Sequence, residues 1–222
     1  MLAMGLFVFS NQYLKGKNNT MKQRKSLRGY TRQMAVIAIM SALSIVLMVF
    51  EFSVPIVPSF LKFDISDFPA LLTAFAISPL AGVAVCLLKN LLHLFFTTTM
   101  GVGELANFII SAAFVFFAGL IYARKHTKSG AVIGSLVGAA AAAVVCVPVN
   151  YFITYPFYAK VMIPMDVIIG LYQAILPSVD GLLEALLIFN LPFTFVKGSV
   201  CILLTFLVYK PLSPILKGKA KS

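Results

Sequence analysis

Residues 68–96 read "FPALLTAFAISPLAGVAVCLLKNLLHLFF". Taken as one apolar run, the stretch is a single membrane span. Broken at Ser78–Pro79, it is two. Proline lacks an amide donor and disfavours helix in the residue before it. The break predicts a short helix from about Phe68 to Ile77 and a second from about Leu80 to Phe96.

The count decides the topology. Other strong apolar runs lie near 33–50, 105–123, 131–153 and 182–209, each suited to a hydrocarbon core of ~30 Å. Seven basic residues fall between Lys15 and Arg32, so the N-terminal side belongs in the cytoplasm by the positive-inside rule. With one span at 68–96, the loop "ARKHTKSG" at 123–130 would emerge outside with Arg124, Lys125 and Lys128. With two spans it returns to the cytoplasm, and two more bring Lys210, Lys217, Lys219 and Lys221 back inside. All seven acidic residues (Glu51, Asp64, Asp67, Glu104, Asp166, Asp180 and Glu184) then fall on the outer side, although they played no part in placing the break. The reading is an all-α integral membrane protein with six transmembrane helices, both termini cytoplasmic and long extracellular loops. Its second helix is too short to span unaided and needs a thin bilayer or cover from neighbours.

Composition agrees. Of 222 residues, 60% are hydrophobic and 11% charged, against roughly 25% charged in a soluble domain. So few charges cannot cover a water-facing surface. The net charge of +11 is not a nucleic-acid footprint, because fourteen of the eighteen basic residues flank apolar runs. Lipid headgroups are their partners. The expected organisation is a poorly ordered basic extension at 1–30, one six-helix membrane domain at 31–211 and a basic tail at 212–222. Residues 1–20 have no preceding basic region or cleavage site of a secretory signal. They are read as dispensable, with Met21 as a natural start. Cys86, Cys146 and Cys201 stand apart in apolar surroundings and read as small buried hydrophobes.

The outer connections are long. Residues 53–67 hold two prolines, and 156–181 hold three. Such loops often carry function, which points to an outward-facing site beneath them. Lys197, in "NLPFTFVKGSV" at 190–200, is a lone ammonium in a very apolar run. Lysine at the centre of a spanning helix costs about 2.5–3.5 kcal/mol. It snorkels, pairs with an acid such as Glu184, or contacts a ligand. Thr194 shares its helical face. Asp67 is expected to cap the second helix, which leaves Asp64 and Phe63 to face a ligand. Glu104 is expected to open the fourth helix at its positive end, with Asn107 one turn inside as a ligand candidate. Asn150 needs hydrogen bonds from neighbouring helices or from a ligand. Lys89 and His93 share a face, and His93 reads as packed rather than metal-bound. Ala38-x-x-x-Ala42 permits close approach of another helix. No nucleotide motif, catalytic triad, nucleophile–base pair or metal set occurs, so no catalytic residue and no metal ligand is assigned.

Five ordered motifs, "FLKFDISDFPALL", "SPLAGVAVCLLKNLL", "GELANFIISAAFVF", "VNYFITYPFY" and "LPFTFVKG", resemble the riboflavin-specific substrate-capture subunits, or S components, of energy-coupling-factor (ECF) vitamin transporters. The resemblance runs from about Thr31 to Pro211. It implies a multi-pass protein of the cell membrane that binds riboflavin at an extracellular-facing site as transported ligand, with no cofactor. It also implies a transmembrane coupling protein and two cytoplasmic ATPases as partners, met through Ala38 and Ala42, with residues 53–67 as a lid. Lys197 takes the place of the family's flavin-contacting lysine, and Asn150 that of an asparagine in the fifth helix. Thr194 stands where the family has asparagine, a departure. Rival readings are an S component for another vitamin or a flavin nucleotide and, behind these, an intramembrane enzyme or a structural membrane subunit.

Overall fold

The computed structural model describes residues 29–217, with side chains described through Val208. The extension before Gly29 and the last tail residues lie outside the described residues. Two compact units divide the chain, Met1–Val36 and Ile37–Ser222. Of the first, only the helical stretch 29–36 is described, and the structure discussed below is that of the second.

The described chain is helical apart from one small hairpin and the connecting turns. The first helix, α1, covers Gly29–Val49. A two-stranded antiparallel hairpin follows, β1 (Phe52–Ser53) with β2 (Lys62–Phe63), in the register Phe52↔Phe63 and Ser53↔Lys62. Then come α2 (Asp67–Ala76), α3 (Pro79–His93) with a short 3₁₀ turn to Phe96, α4 (Val102–Arg124) and α5 (Lys128–Val149). A π-helical turn at Asn150–Thr154 leads into α6 (Tyr155–Val161). The segments α7 (Met165–Gln173) and α8 (Leu182–Ala185) precede a second π turn, Leu186–Asn190, and the long α9 (Leu191–Lys217). Helical backbone in α9 continues past Pro211 to Lys217. Among the described residues, five helical runs are long and apolar enough to cross a membrane: α1, α3 with its turn, α4, α5 continued through α6, and Leu182–Val208.

Two helices, not one, occupy residues 67–93. Ser78 is extended (φ −169°, ψ 159°), and its hydroxyl accepts the Ala81 N–H at 3.2 Å, capping α3, with Pro79 in the first turn. Proline fits there because that N–H has no helical partner to lose. The expected capping role of Asp67 does not hold. Asp67 is the first helical residue, Ser66 precedes it, and no side chain caps the end. The Asp67 carboxylate is taken by Lys89 instead.

At ten residues, α2 rises only ~15 Å, about half a bilayer core. Its shortness is compensated by cover. Eight of its ten residues are buried, with α3, α4 and α9 packed around it. The closest helix contacts depend on glycine. A Cβ at Gly82 would lie 2.8 Å from the Ala70 carbonyl oxygen of α2, and one at Gly138 would lie 2.4 Å from the Phe114 carbonyl oxygen of α4. In membranes, backbones approach this closely only where a side chain is absent or small.

A separate apolar core joins the β1–β2 loop to the segments around α6–α8. Val57 and Leu61 of the β1–β2 loop pack with Tyr155, Ile168, Tyr172, Val179 and Leu186. This anchors the loop over the ends of α6–α8. The three cysteines are buried and free.

Gly138→Ala is expected to lower stability by about 1–3 kcal/mol, because its obstacle is backbone that cannot rotate away. The apparent melting temperature in detergent checks this; a value equal to that of the unaltered chain would mean α4 and α5 can separate at no cost.

Candidate functional site

Two prolines shape the site before any side chain does. Pro148 lies inside α5, and Pro192 lies in the first turn of α9. Each removes a backbone donor, and each neighbours a π turn. The turn after Pro148 begins with Asn150, and the turn before Pro192 ends with Asn190. Wide turns of this kind break the regular progression of side chains around a helix and recur at functional sites. Both asparagines, one just after α5 and one just before α9, line the same cavity.

The cavity has a volume of ≈ 260 Å³ and lies beneath the β1–β2 loop. Five of the six ligand candidates from the sequence line it: Asp64, Asn107, Asn150, Thr194 and Lys197. Phe63 does not. Its ring packs on Phe52 and Phe193, with centroids 5.4 and 6.0 Å away, and so backs the wall formed by Phe193. Phe60, Phe114, Phe193, Tyr155 and Tyr158 supply the aromatic part of the wall.

Lys197 is paired, and not with Glu184. Its Nζ donates to Asp64 Oδ2 at 2.6 Å, across 133 positions of sequence. Glu184 instead accepts the Asp180 N–H. The other Asp64 oxygen accepts the Ser66 N–H at 2.8 Å. Next to this pair, the fully buried Lys89 donates to Ser66 Oγ at 2.7 Å and to the Asp67 carboxylate. Two lysines and two aspartates thus form a neutral buried cluster linking α3, α9 and the start of α2. Burial alone would raise the Asp64 carboxyl, but the Lys197 and Lys89 ammonium groups, with hydrogen bonds from Lys197 and Ser66, bring it down to about 2. Lys197 uses one of its three donors on Asp64 and still faces the cavity.

The opposite wall is built at the start of α4. A left-handed turn at Met100–Gly101 (φ 53° and 86°) delivers Glu104 into its first turn. Glu104 Oε2 accepts from Thr97 and Thr99 at 2.9 and 3.0 Å, and Oε1 pairs with His93 Nδ1 at 2.9 Å. His93 is therefore packed, as the sequence suggested, but against a carboxylate. Asn107 donates to Asn90 at 3.2 Å and accepts from Ser111 at 3.3 Å, so much of its amide is spent inside the protein. Glu51 also lines the cavity. Burial, and then the nearby Asp64, raise its carboxyl above the ordinary range.

Sequence reasoning missed Asn190 and the two tyrosines it joins. Tyr155 and Tyr172 hydroxyls lie 2.6 Å apart, Tyr172 donates to Asn190 Oδ1 at 2.7 Å, and Asn190 Nδ2 donates to Tyr155 at 3.1 Å. The available signal was an amide in the apolar run "LLIFNLPF", one turn before Thr194 and two residues before Pro192.

A helical bundle of membrane-spanning segments with a polar, aromatic-walled cavity under a loop defines a membrane protein that captures a small ligand. The model of the family described as "ECF transporter, substrate-specific component" matches residues 32–209, and the chain belongs to that family. It is similar to the riboflavin transporter RibU of Staphylococcus aureus (strain TCH60), with 30% identity over 88% of this chain and 97% of that one. It is also similar to the riboflavin transporter FmnP of Bacillus subtilis (strain 168), with 30% identity over 82% and 93% of the two chains. A solved S component of a bacterial ECF transporter superposes with a TM-score of 0.67 at 30% identity, covering 84% of this chain and 98% of that one. The protein is thus a multi-pass protein of the cell membrane.

Removing one partner of a buried pair leaves a charge without compensation and costs about 3–5 kcal/mol, whereas removing both costs much less. Lys197→Met and Asp64→Asn are each expected to destabilise more than the double variant, read by thermal unfolding in detergent. Additive single effects would show that the two groups do not support each other. Because the Asp64 carboxyl titrates at about 2 when folded and near 4 when unfolded, its contribution is full above pH ~4. It fades as pH falls toward 2. That loss should be absent from the double variant.

Proposed function

We propose that this protein binds riboflavin at an extracellular-facing site and mediates its uptake as the substrate-capture subunit of an ATP-driven ECF transporter. The observation that carries the reading is the convergence of Asp64, Asn150, Thr194 and Lys197 on one aromatic-walled cavity under the β1–β2 loop. Riboflavin offers a flat apolar ring system, a polar pyrimidine edge and a hydroxylated ribityl chain. Such a ligand needs apolar walls and a few placed polar groups, which is the division found here. The names of the relatives from S. aureus and B. subtilis point the same way. Scavenging a dilute vitamin calls for nanomolar-class affinity, on the order of −12 kcal/mol.

In this reading α2 is the second and shortest of six crossings, sheltered by its neighbours, and both termini are cytoplasmic. The support is the segregation of charge. Arg124 ends α4 at the far end from Glu104, and Arg124, Lys125 and Lys128 form the α4–α5 connection. Lys197 would donate to flavin or ribityl oxygens through the hydrogens Asp64 leaves unused, without meeting bare lipid. No covalent chemistry takes place on this chain. ATP is hydrolysed by two separate cytoplasmic ATPases, coupled through a transmembrane protein. Ala38 and Ala42 are exposed on α1, while Met40, Ser41, Ser44 and Met48 face inward. A second helix would meet that small-residue stripe without displacing the core.

Titration of purified protein into riboflavin should quench flavin fluorescence with nanomolar-class affinity, and competition should rank riboflavin above flavin mononucleotide and other vitamins. No quenching at micromolar protein would overturn the reading. Lys197→Ala removes a charge-assisted hydrogen bond, generally about 1.5–3 kcal/mol, and should weaken binding by about 10- to 100-fold, well beyond Thr194→Ala. The pair Ala38→Leu and Ala42→Leu should leave binding intact and abolish uptake in cells supplying the coupling protein and ATPases. Undiminished uptake would move the docking surface elsewhere.

A further inference from the structure

We propose that Asn190 is a ligand-recognition residue of this cavity, and that Tyr155 and Tyr172 act as a clamp that fixes the plane of its amide. The inference rests on the riboflavin reading above and adds to it a polar contact that neither the sequence motifs nor the relatives' names indicate.

The donor and acceptor inventory makes the case. Asn190 is 5% exposed, yet it lines the cavity. Tyr172 has one hydroxyl proton and spends it on Asn190 Oδ1. The contact between the two tyrosines must then be donated by Tyr155, which in turn accepts from Asn190 Nδ2. The three groups close a ring of hydrogen bonds. Rotating the amide by half a turn would reverse every bond in the ring and leave it closed. Any orientation between these two breaks two bonds in a buried setting, which is expensive. The amide plane is therefore fixed, while its two ends remain interchangeable.

The ring uses one N–H and one lone pair of the amide. A primary amide has two of each. One donor and one lone pair remain, on the edges turned away from the tyrosines. Asn90, buried as deeply, also uses one N–H and one lone pair, but it lies outside the cavity wall. Asn190 shares the cavity wall with Asn150, Thr194 and Lys197. Asn190, Thr194 and Lys197 follow one another at helical spacing, so they present a polar stripe along one side of α9.

The clamp also reaches the covering loop. The ring of Phe60 meets Tyr155 and Tyr172 edge-on, with centroids 5.8 and 5.7 Å apart, and Phe60 lines the cavity itself. Tyr172 touches the amide and the covering aromatic but is not part of the cavity wall. It is therefore a positioning residue. The ligand group that suits Asn190 is one edge of a carbonyl-and-imide ring, which offers acceptors beside a donor.

The test is riboflavin binding in detergent by the whole chain, followed by fluorescence quenching and by the visible absorption bands of the bound flavin. Those bands respond to hydrogen bonds at the ring and not to fold stability. Asn190→Ala is expected to weaken binding by about 10- to 100-fold and to shift the bound-flavin bands. Tyr172→Phe, which leaves the wall residues in place but removes two bonds of the ring, should lower the melting temperature, weaken binding severalfold and shift the bands in the same direction. Should Asn190→Ala not fold, Tyr172→Phe carries the test alone. Unaltered affinity and bands in Asn190→Ala, or in Tyr172→Phe if that is the only folded variant, would overturn the proposal while leaving the riboflavin reading intact. Failure of the unaltered chain to bind riboflavin would overturn both.

Discussion

The ion pair between Lys197 and Asp64 ties together two parts of the protein that lie 133 positions apart in the chain. One partner sits in the last helix and the other just after the hairpin that covers the cavity. A lone ammonium at this depth is costly. So is a lone carboxylate. Each is tolerable only with the other in place. The covering loop is thus drawn to α9 by more than apolar contact. Lys89 adds a second tie at the start of α2 through Ser66 and Asp67. The net charge of the four groups is zero, which lets the bundle hold them where lipid surrounds it.

That constraint explains why α2 is short. Its first residue is one of the four charges, and its last turn stops where Ser78 and Pro79 open α3. A longer helix would carry Asp67 away from Lys89 or push the Ser78 cap out of the bundle. With α3, α4 and α9 wrapped around it, α2 is an internal post more than a lipid-facing span. Gly82 keeps that post close to α3, and Gly138 keeps α5 close to α4.

The polar groups of the cavity follow a shared rule. Where a regular helix would continue, a proline removes a donor, a wide turn forms, and an asparagine is turned inward. This happens at Asn150 near Pro148 and at Asn190 near Pro192. Irregular backbone at membrane depth is tolerated when it is buried in protein or lines a cavity. The helix defects therefore create the recognition surface. The phenylalanine rings between them supply area without any hydrogen-bonding demand of their own, and the Tyr155 hydroxyl is satisfied by Tyr172 and Asn190.

The sequence by itself determined the class of fold and the division of residues 67–93 into two helices. Both follow from local physics: apolar length, and a proline that cannot continue a helix. It also nominated five residues that do line the cavity, because a polar group inside an apolar run is conspicuous wherever it occurs. Only the tertiary structure decided which of those groups meet. Glu184 is nearer to Lys197 in sequence, yet Asp64 is the partner, since a contact across 133 positions leaves no trace in periodicity. Asp67 looked like a cap because its position beside a helix start suits one, and packing gave it to Lys89. Phe63 looked like a ligand contact and lies behind Phe193, because the strand register that sets its direction depends on a partner strand nine or more residues away. Asn190 escaped notice because its meaning lies in two tyrosines from other segments, which only folding brings within hydrogen-bond reach.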